Sequence, residues 1–137
     1  MVKDWRKYPN FAEHEFACKC GCGQANVSEF LVQKLQLVSD FIAKVRGKRI
    51  PIIIVRGCSC PKHNATIKNS SPTSSHVATD DKEGTAVDIR IANSTERFWI
   101  VRACYALNFR RHGMYNGHNG YHVDVDLTKD QDVFWKV

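Results

Sequence analysis

Two stretches of the chain place apolar residues at helical spacing. In the first, which follows Asn26, apolar positions recur every three or four residues, at Phe30, Leu31, Leu35, Val38, Ile42 and Val45. Ser28 and Glu29 supply a polar cap and a carboxylate near the positive end of the helix dipole, and Gly47 is a natural stop. The second helix is predicted to open at Asn93 and to run to about residue 109.

Three further stretches have the character of strands. Ile50 to Val55 is short, apolar and β-branched, which predicts a buried strand. Residues 85–92 and 121–127 alternate between apolar and polar, and they place Asp88 and His122 on polar faces. Together these patterns predict an α+β fold in which two helices back a small, mainly antiparallel sheet and the other sheet face is open.

Length and charge narrow the classes of protein that remain. The 137 residues suit one domain, 1–137, with an irregular, cysteine-rich segment over residues 1–25. A formal net charge of +6 favours an anionic partner, but the basic residues are scattered, so no nucleic-acid partner is expected. We also expect no membrane span, a monomer, and synthesis in the cytoplasm without a signal peptide, because the first 16 residues are polar and charged throughout.

The predicted sheet carries a set of metal-binding side chains. His76 lies in a serine-rich loop just before the strand that presents Asp88, and the last strand presents His122 and Asp124. Two imidazoles and one carboxylate suit Zn²⁺ and leave a fourth position for water, as in catalytic sites. The spacing alone leaves open that these are surface or hydrogen-bonded residues.

Several motifs resemble one peptidase family. Ser74-Ser75-His76 with Gly84-Thr85-Ala86-Val87-Asp88 looks like the S-x-H-x-x-G-x-A-x-D signature of zinc D-Ala-D-Ala carboxypeptidases and related phage endolysins, and Tyr121-His122-Val123-Asp124 resembles their closing H-x-D strand. Residues 16–23 and the loop of Gly57 with Pro61-Lys62-His63-Asn64 are also similar to that family. The resemblance runs in family order from about residue 11 to residue 127.

The resemblance implies a zinc site and a reaction. His76, Asp88 and His122 would bind zinc, and Ser74 would support the first ligand or contact substrate. Zinc-activated water would hydrolyse peptide bonds in stem or cross-link peptides of bacterial peptidoglycan, as an endopeptidase or a D-Ala-D-Ala carboxypeptidase. The context would be phage or prophage lysis, with action at the cell wall after release, or cell-wall remodelling.

The chain departs from the family pattern in three places. About five extra residues, including Asp80 and Asp81, separate His76 from Asp88. Ser59 stands where the family has an arginine that grips a substrate carboxylate; Arg56 is the expected substitute.

The third departure is the general base. Asn119 occupies the usual carboxylate position three residues before His122. Asp124 is the first candidate for the base, with a supporting role for the last ligand as its alternative, and His118 is the second. Tyr121 and Tyr115 are alternative candidates for the wall of the substrate groove.

Five of the six cysteines are candidates for a second, structural metal site: Cys18, Cys20, Cys22, Cys58 and Cys60. Reduced thiols that pack the N-terminal loop are the alternative, and a disulfide would need an oxidising compartment. Cys104 lies in the second predicted helix and is expected in the core.

Two other functions remain open at this point. A zinc-stabilised module that binds the cell wall, or forms part of a phage particle, without cleaving bonds would keep the same motifs. A Cys-His hydrolase would use Cys58 or Cys60 with His63, although no motif around either cysteine supports it.

Overall fold

A computed structural model describes residues 1–116 and 120–136. The helices are a 3-10 helix at Trp5–Lys7, α1 (Glu13–Phe16), α2 (Glu29–Arg46), α3 (Pro61–Thr66) and α4 (Ser94–Ala106). The strands are β1 (Ile54–Arg56), β2 (Ala86–Arg90), β3 (Arg111–Met114), β4 (Gly120–Asp124) and β5 (Val133–Lys136). None of the helices in the described ranges is long and apolar enough to cross a membrane.

Helix α2 forms where its caps and apolar spacing require it. Ser28 Oγ accepts a hydrogen bond from the backbone N–H of Leu31, 3.4 Å away, and Gly47 ends the helix in the left-handed conformation at φ 83°. The α2 residues that face inward are buried with those of α4 and of two strands, chiefly Leu31, Leu35, Val38, Ile42, Ile100, Cys104, Val87, Ile89 and Val123. The predicted cap, stop and core position of Cys104 are therefore confirmed.

The five strands form one sheet in the order β1-β2-β4-β3-β5. The β1–β2, β2–β4 and β4–β3 pairs are antiparallel, and β3–β5 is parallel. Helices α2 and α4 pack against each other over one face of the sheet. The predicted α+β fold, with a mainly antiparallel sheet, is confirmed.

Element boundaries differ from the predictions. The strand predicted over residues 50–55 is regular only at Ile54–Arg56, although Ile50 and Ile52 are buried. Helix α4 ends at Ala106, three residues early, because Asn108 turns the chain at φ 61°. Strands β3 and β5 carry no clear alternating pattern, and the sequence did not predict them.

A register shift in β1 decides which face Arg56 occupies. Ile54 pairs with Ile89 on the core face, and Arg56 pairs with Asp88 on the other face. In an unbroken antiparallel register the partner of Arg56 would be Val87, on the core side. The irregularity between Ile54 and Arg56 therefore directs the arginine to the open face, as bulges near functional sites often do.

Candidate metal centre and substrate cleft

One row of cross-strand partners runs across all five strands of the open face. Arg56 pairs with Asp88, Asp88 with His122, His122 with Gly113, and Gly113 with Trp135. Directly paired residues share a face of the sheet, so this row brings a cation, a carboxylate, an imidazole and an indole together.

Two side chains of this row, Asp88 and His122, converge with His76, which lies beside the row. Asp88 Oδ1 lies 2.9 Å from His122 Nδ1 and 3.2 Å from His76 Nε2. The three atoms lie within 4.8 Å of one another, and all three residues are largely buried. Nitrogen and oxygen ligands around a tetrahedral zinc are separated by about 3.3 Å, so this spacing fits a metal ion.

The hydrogen bonds behind the imidazoles fix which nitrogen of each ring carries a proton. His76 Nδ1 lies 2.8 Å from the carbonyl oxygen of Gly57, which can only accept, so Nδ1–H donates and Nε2 keeps its lone pair. His122 Nε2 lies 2.7 Å from Asp124 Oδ2 and donates in the same way, which leaves the lone pair on Nδ1. Two nitrogen lone pairs and a carboxylate oxygen then face one another, an arrangement that a cation stabilises.

Burial and neighbouring groups shift the pKa values of all three converging residues. Burial lowers the pKa of His76, against the opposing effect of Asp88. Burial acts in the same direction on His122, but the adjacent carboxylates of Asp124 and Asp88 outweigh burial and raise its pKa. Burial raises the pKa of Asp88, yet the adjacent imidazoles of His122 and His76 hold it below its ordinary value.

Asp124 has both carboxylate oxygens occupied. Oδ2 accepts from His122, while Oδ1 accepts from Arg111 Nε at 2.8 Å and from the backbone N–H of Asp126 at 3.0 Å. The carboxylate is buried, and Arg111 is its cross-strand partner. This arrangement suits a group that orients His122 better than one that takes a proton from water.

Hydrogen bonds to two other segments hold the part of the loop that carries His76. Ser59 N–H donates to the His76 carbonyl at 2.8 Å, and Ser75 Oγ donates to Asp126 Oδ2 at 2.7 Å. Ser74 Oγ accepts from the backbone N–H of His76 at 3.3 Å and borders the cleft. The position of Ser74 therefore allows both predicted roles, support of His76 and contact with substrate.

A cleft of about 350 Å³ lies over the convergence point. It is lined by His76, His122 and Asp124, by the loop residues Asn69, Ser70, Ser71, Ser74 and Ser75, and by Arg56, Arg111, Tyr115, Lys129 and Trp135. Arg56 Nη2 donates to Asn64 Oδ1 at 2.9 Å and Nε to Ser59 Oγ at 3.1 Å. Arg56 therefore lies in the cleft beside Ser59, the residue that replaces the expected arginine.

Tyr115, one of the two tyrosines expected to line the groove, lies in the wall of the cleft with Trp135, which the sequence did not assign. Tyr115 Oη lies 3.4 Å from Asp88 Oδ1 and 3.5 Å from His122 Nδ1, and burial, with the nearby Asp88, raises its pKa. The Trp135 ring lies 5.1 Å from that of His122, measured between centroids. Gly113 was the sequence feature that could have indicated the position of Trp135, since a glycine within a strand often marks the close approach of another group.

The prediction that Tyr121 lines the groove is wrong. Tyr121 is fully buried on the helix-covered face, where its hydroxyl donates to His112 Nδ1, and His112 Nε2–H donates to the Phe109 carbonyl at 2.6 Å. Alternation explains the error: Tyr121 directly precedes His122 in β4, so the two side chains point to opposite faces.

Four of the five candidate cysteines come together, and the fifth does not. The sulfur atoms of Cys18, Cys20, Cys22 and Cys60 lie within 4.8 Å of one another. Cys58 lies outside this group, buried against Gly84, and burial raises the pKa of its thiol to about 12. Including Cys58 among the metal ligands was therefore wrong, and its raised pKa also argues against Cys58 as a nucleophile. All six cysteines are free thiols.

The extra acidic residues lie away from the cleft: Asp80 accepts from Gln24, and Glu83 is paired with the N-terminal amine. His118, the second candidate for the base, lies outside the described residues.

Comparisons with known proteins agree with this geometry. A family model described as peptidase M15 matches residues 9–124, which include His76, Asp88, His122 and Asp124. Searches of curated proteins and of solved structures found no significant match. Since the match covers most of the 137 residues, the chain belongs to the peptidase M15 family and is a metallopeptidase.

Proposed function

We propose that this protein is a zinc peptidase that hydrolyses peptide bonds in the stem or cross-link peptides of bacterial peptidoglycan. M15 peptidases are zinc-dependent. The observation that carries the proposal is the convergence of His76 Nε2, Asp88 Oδ1 and His122 Nδ1, with the other nitrogen of each imidazole already hydrogen-bonded. Zinc bound there would supply an activated water and polarise the scissile carbonyl.

The residues around the metal ligands have separate roles in orienting a ligand, donating a hydrogen bond and accepting a proton. Asp124 holds the His122 ring and its tautomer through Nε2, and Arg111 holds Asp124. Tyr115 keeps its proton, because its pKa is raised, so its hydroxyl is a hydrogen-bond donor for an oxygen that gains negative charge. His118 stays a candidate for the general base on sequence grounds.

Arg56 recognises a carboxylate of the substrate. Its two hydrogen-bond partners, Ser59 Oγ and Asn64 Oδ1, are neutral, and within residues 1–116 and 120–136 it forms no ion pair. Arg111, by contrast, has its charge balanced by Asp124. A half-buried guanidinium with neutral partners favours an anionic ligand, and its planar fork fits a carboxylate.

Peptidoglycan peptides suit this cleft. They are anionic through free carboxylates, and the cleft is lined by Arg56, Arg111 and Lys129. The net charge of +6 favours approach to an anionic wall. We further propose that the chain acts as a monomeric domain over residues 1–137 and works at the cell wall in phage or prophage lysis after synthesis in a cytoplasm.

Digestion of purified peptidoglycan tests the proposal. Zinc-loaded protein and the His76→Ala variant are incubated with the same wall preparation, and released peptides are identified by mass spectrometry. New fragments from the intact protein alone are expected, and their termini identify the scissile bond. Asp132→Asn, which changes an exposed carboxylate outside the cleft, is the matched control and should cleave normally.

One outcome would overturn the enzymatic role on this substrate. If the intact protein holds one zinc at His76 and sediments with the wall but releases no fragment, the protein is a cell-wall-binding module. Cleavage of unrelated peptides without cleavage of the wall would instead keep the peptidase and reject the substrate.

A further inference from the structure

We infer that Cys18, Cys20, Cys22 and Cys60 form a second zinc site, structural in character and separate from the His76 centre. The four sulfur atoms lie within 4.8 Å of one another, with 3.5 Å between Cys18 and Cys20 and 3.8 Å between Cys20 and Cys60. Sulfur atoms around a tetrahedral zinc with Zn–S bonds of about 2.3 Å are separated by about 3.8 Å. The sulfur positions therefore match a four-thiolate site.

The loop that carries three of these cysteines is folded to aim them at one point. Cys18 N–H donates to the Gln24 carbonyl at 2.7 Å and closes the loop, and Gly21 N–H donates to the Cys18 carbonyl at 3.3 Å. Gly21 and Gly23 adopt left-handed conformations, at φ 85° and 83°. In an extended strand, Cys18, Cys20 and Cys22 would share a face but would be spaced about 6.6 Å apart along it, so these left-handed turns are what brings the sulfurs of the C-x-C-x-C run close together.

The fourth cysteine comes from a distant part of the chain. Cys60 caps the start of α3, where its sulfur accepts from the His63 N–H at 3.3 Å, and its own N–H donates to Cys18 Sγ at the same distance. These two N–H groups hold Cys18 Sγ and Cys60 Sγ in place beside each other. Four thiolates with no open position are typical of structural zinc.

A disulfide does not account for this cluster. Bonded sulfurs lie about 2.05 Å apart, and all six cysteines here are free. Plain packing does not account for it either, because Cys20 and Cys22 are exposed. Four sulfurs held together at the surface without a bond between them leave a shared soft cation as the physical explanation.

The site would fasten the N-terminal loop to the segment that supports the catalytic centre. Phe16 O accepts from the Cys58 N–H at 2.8 Å, so residues 16–18 already run beside residues 58–60. The same segment supplies the Gly57 carbonyl to His76 and the Ser59 hydroxyl to Arg56. Zinc at the cysteines therefore secures the position of both groups.

Metal stoichiometry tests the inference independently of catalysis. Protein purified with reductant and Zn²⁺ should contain two zinc per chain by elemental analysis. His76→Ala should retain one, and Cys20→Ser combined with Cys22→Ser should retain one, because each change removes a different site. Cys58→Ala, a cysteine between the same segments but outside the cluster, is the matched control and should retain two.

Cobalt and alkylation distinguish the two sites without relying on a folded cysteine variant. Co²⁺ loaded into His76→Ala should show thiolate-to-cobalt charge-transfer bands in the near ultraviolet, as a four-sulfur site requires. In the unaltered protein, zinc should protect the exposed Cys20 and Cys22 from iodoacetamide, and a chelator should abolish the protection, as mapped by peptide mass spectrometry.

Each result decides for or against the site. A single zinc that His76→Ala abolishes, absence of charge-transfer bands, or equal alkylation with and without zinc would overturn it, and iron in place of zinc would overturn the metal assignment. A different result would separate the two sites. If the paired serine changes lower the zinc count and His76→Ala leaves it unchanged, the cysteine site is supported and the proposed catalytic centre is rejected.

Discussion

Trp135 lies over Gly113, its direct cross-strand partner on β3, and a Cβ placed on Gly113 would come within 2.4 Å of the indole ring. The missing side chain leaves the space in which the indole reaches toward His122, at a centroid separation of 5.1 Å. The wall of the cleft therefore depends on a residue that has no functional group.

Gly113→Ala should lower stability and activity together. The new methyl group overlaps Trp135 and forces either the ring or strand β5 to move, and overpacking of this kind costs about 1–3 kcal/mol. Urea unfolding measures the change in the free energy of unfolding. Combining Gly113→Ala with Trp135→Ala removes the clashing ring. The loss of stability in the double variant should therefore be smaller than the sum of the losses in the two single variants. Strict additivity would show that the contact does not matter.

Asp124→Asn should weaken metal binding and activity about 10- to 100-fold, the usual effect of removing a group that orients a ligand histidine. The amide no longer balances Arg111 and no longer fixes the proton on His122 Nε2. Zinc affinity from a competition titration and the rate of wall digestion measure both effects. If activity falls by several orders of magnitude while zinc affinity is unchanged, Asp124 is a catalytic base and not a positioning residue.

Two neighbouring ion pairs should differ sharply in what they contribute. Arg110 with Asp132 and Arg111 with Asp124 are both close pairs, but the first is exposed and the second is buried. Asp132→Asn should change the free energy of unfolding by less than about 1 kcal/mol, because water screens the pair. Asp124→Asn, which leaves the buried Arg111 charge uncompensated, should cost about 3–5 kcal/mol. Equal losses in urea unfolding would contradict this assignment of burial.

Arg56→Lys should raise KM for wall peptides while kcat changes less. Lysine keeps the charge but loses the planar fork that bonds Ser59 and Asn64 and would grip a carboxylate. Arg56→Gln, which also removes the charge, should raise KM further. Steady-state rates on isolated stem peptides provide both constants. The same rates are measured with a peptide whose carboxylates are amidated. If its KM equals that of the free-acid peptide in the unaltered protein and in both variants, Arg56 does not recognise a carboxylate.

Removal of metal should destabilise the fold. Without a cation, the lone pairs of His76 Nε2 and His122 Nδ1 face the Asp88 carboxylate, so metal binding to the native state alone raises stability by mass action. The Tm should fall with chelator and should rise again with added Zn²⁺ in a concentration-dependent way. The paired change His76→Ala and His122→Ala should remove the part of this shift that comes from the catalytic centre.

Local patterns in the sequence determined the two long helices, α2 and α4, and the ligand set, whereas the short helices at Trp5–Lys7, Glu13–Phe16 and Pro61–Thr66 were not predicted. Ser28, Gly47 and the apolar spacing between them specify α2, because capping and helical periodicity act within a few residues. Alternation placed Asp88 and His122 on polar strand faces, and the motif around His76 joined them to one metal centre. These features depend on neighbours along the chain, which a sequence displays directly.

The tertiary structure decided what distant segments do to one another. The register shift in β1 turned Arg56 to the open face, and the parallel pairing of β5 with β3 brought Trp135 over Gly113. The hydrogen bond from Cys58 N–H to Phe16 O brings residues 58–60 beside the N-terminal loop, which grouped Cys60 with the N-terminal cysteines and left Cys58 in the core. Register and strand order follow from packing across the whole sheet, and a one-residue shift reverses the face of a side chain.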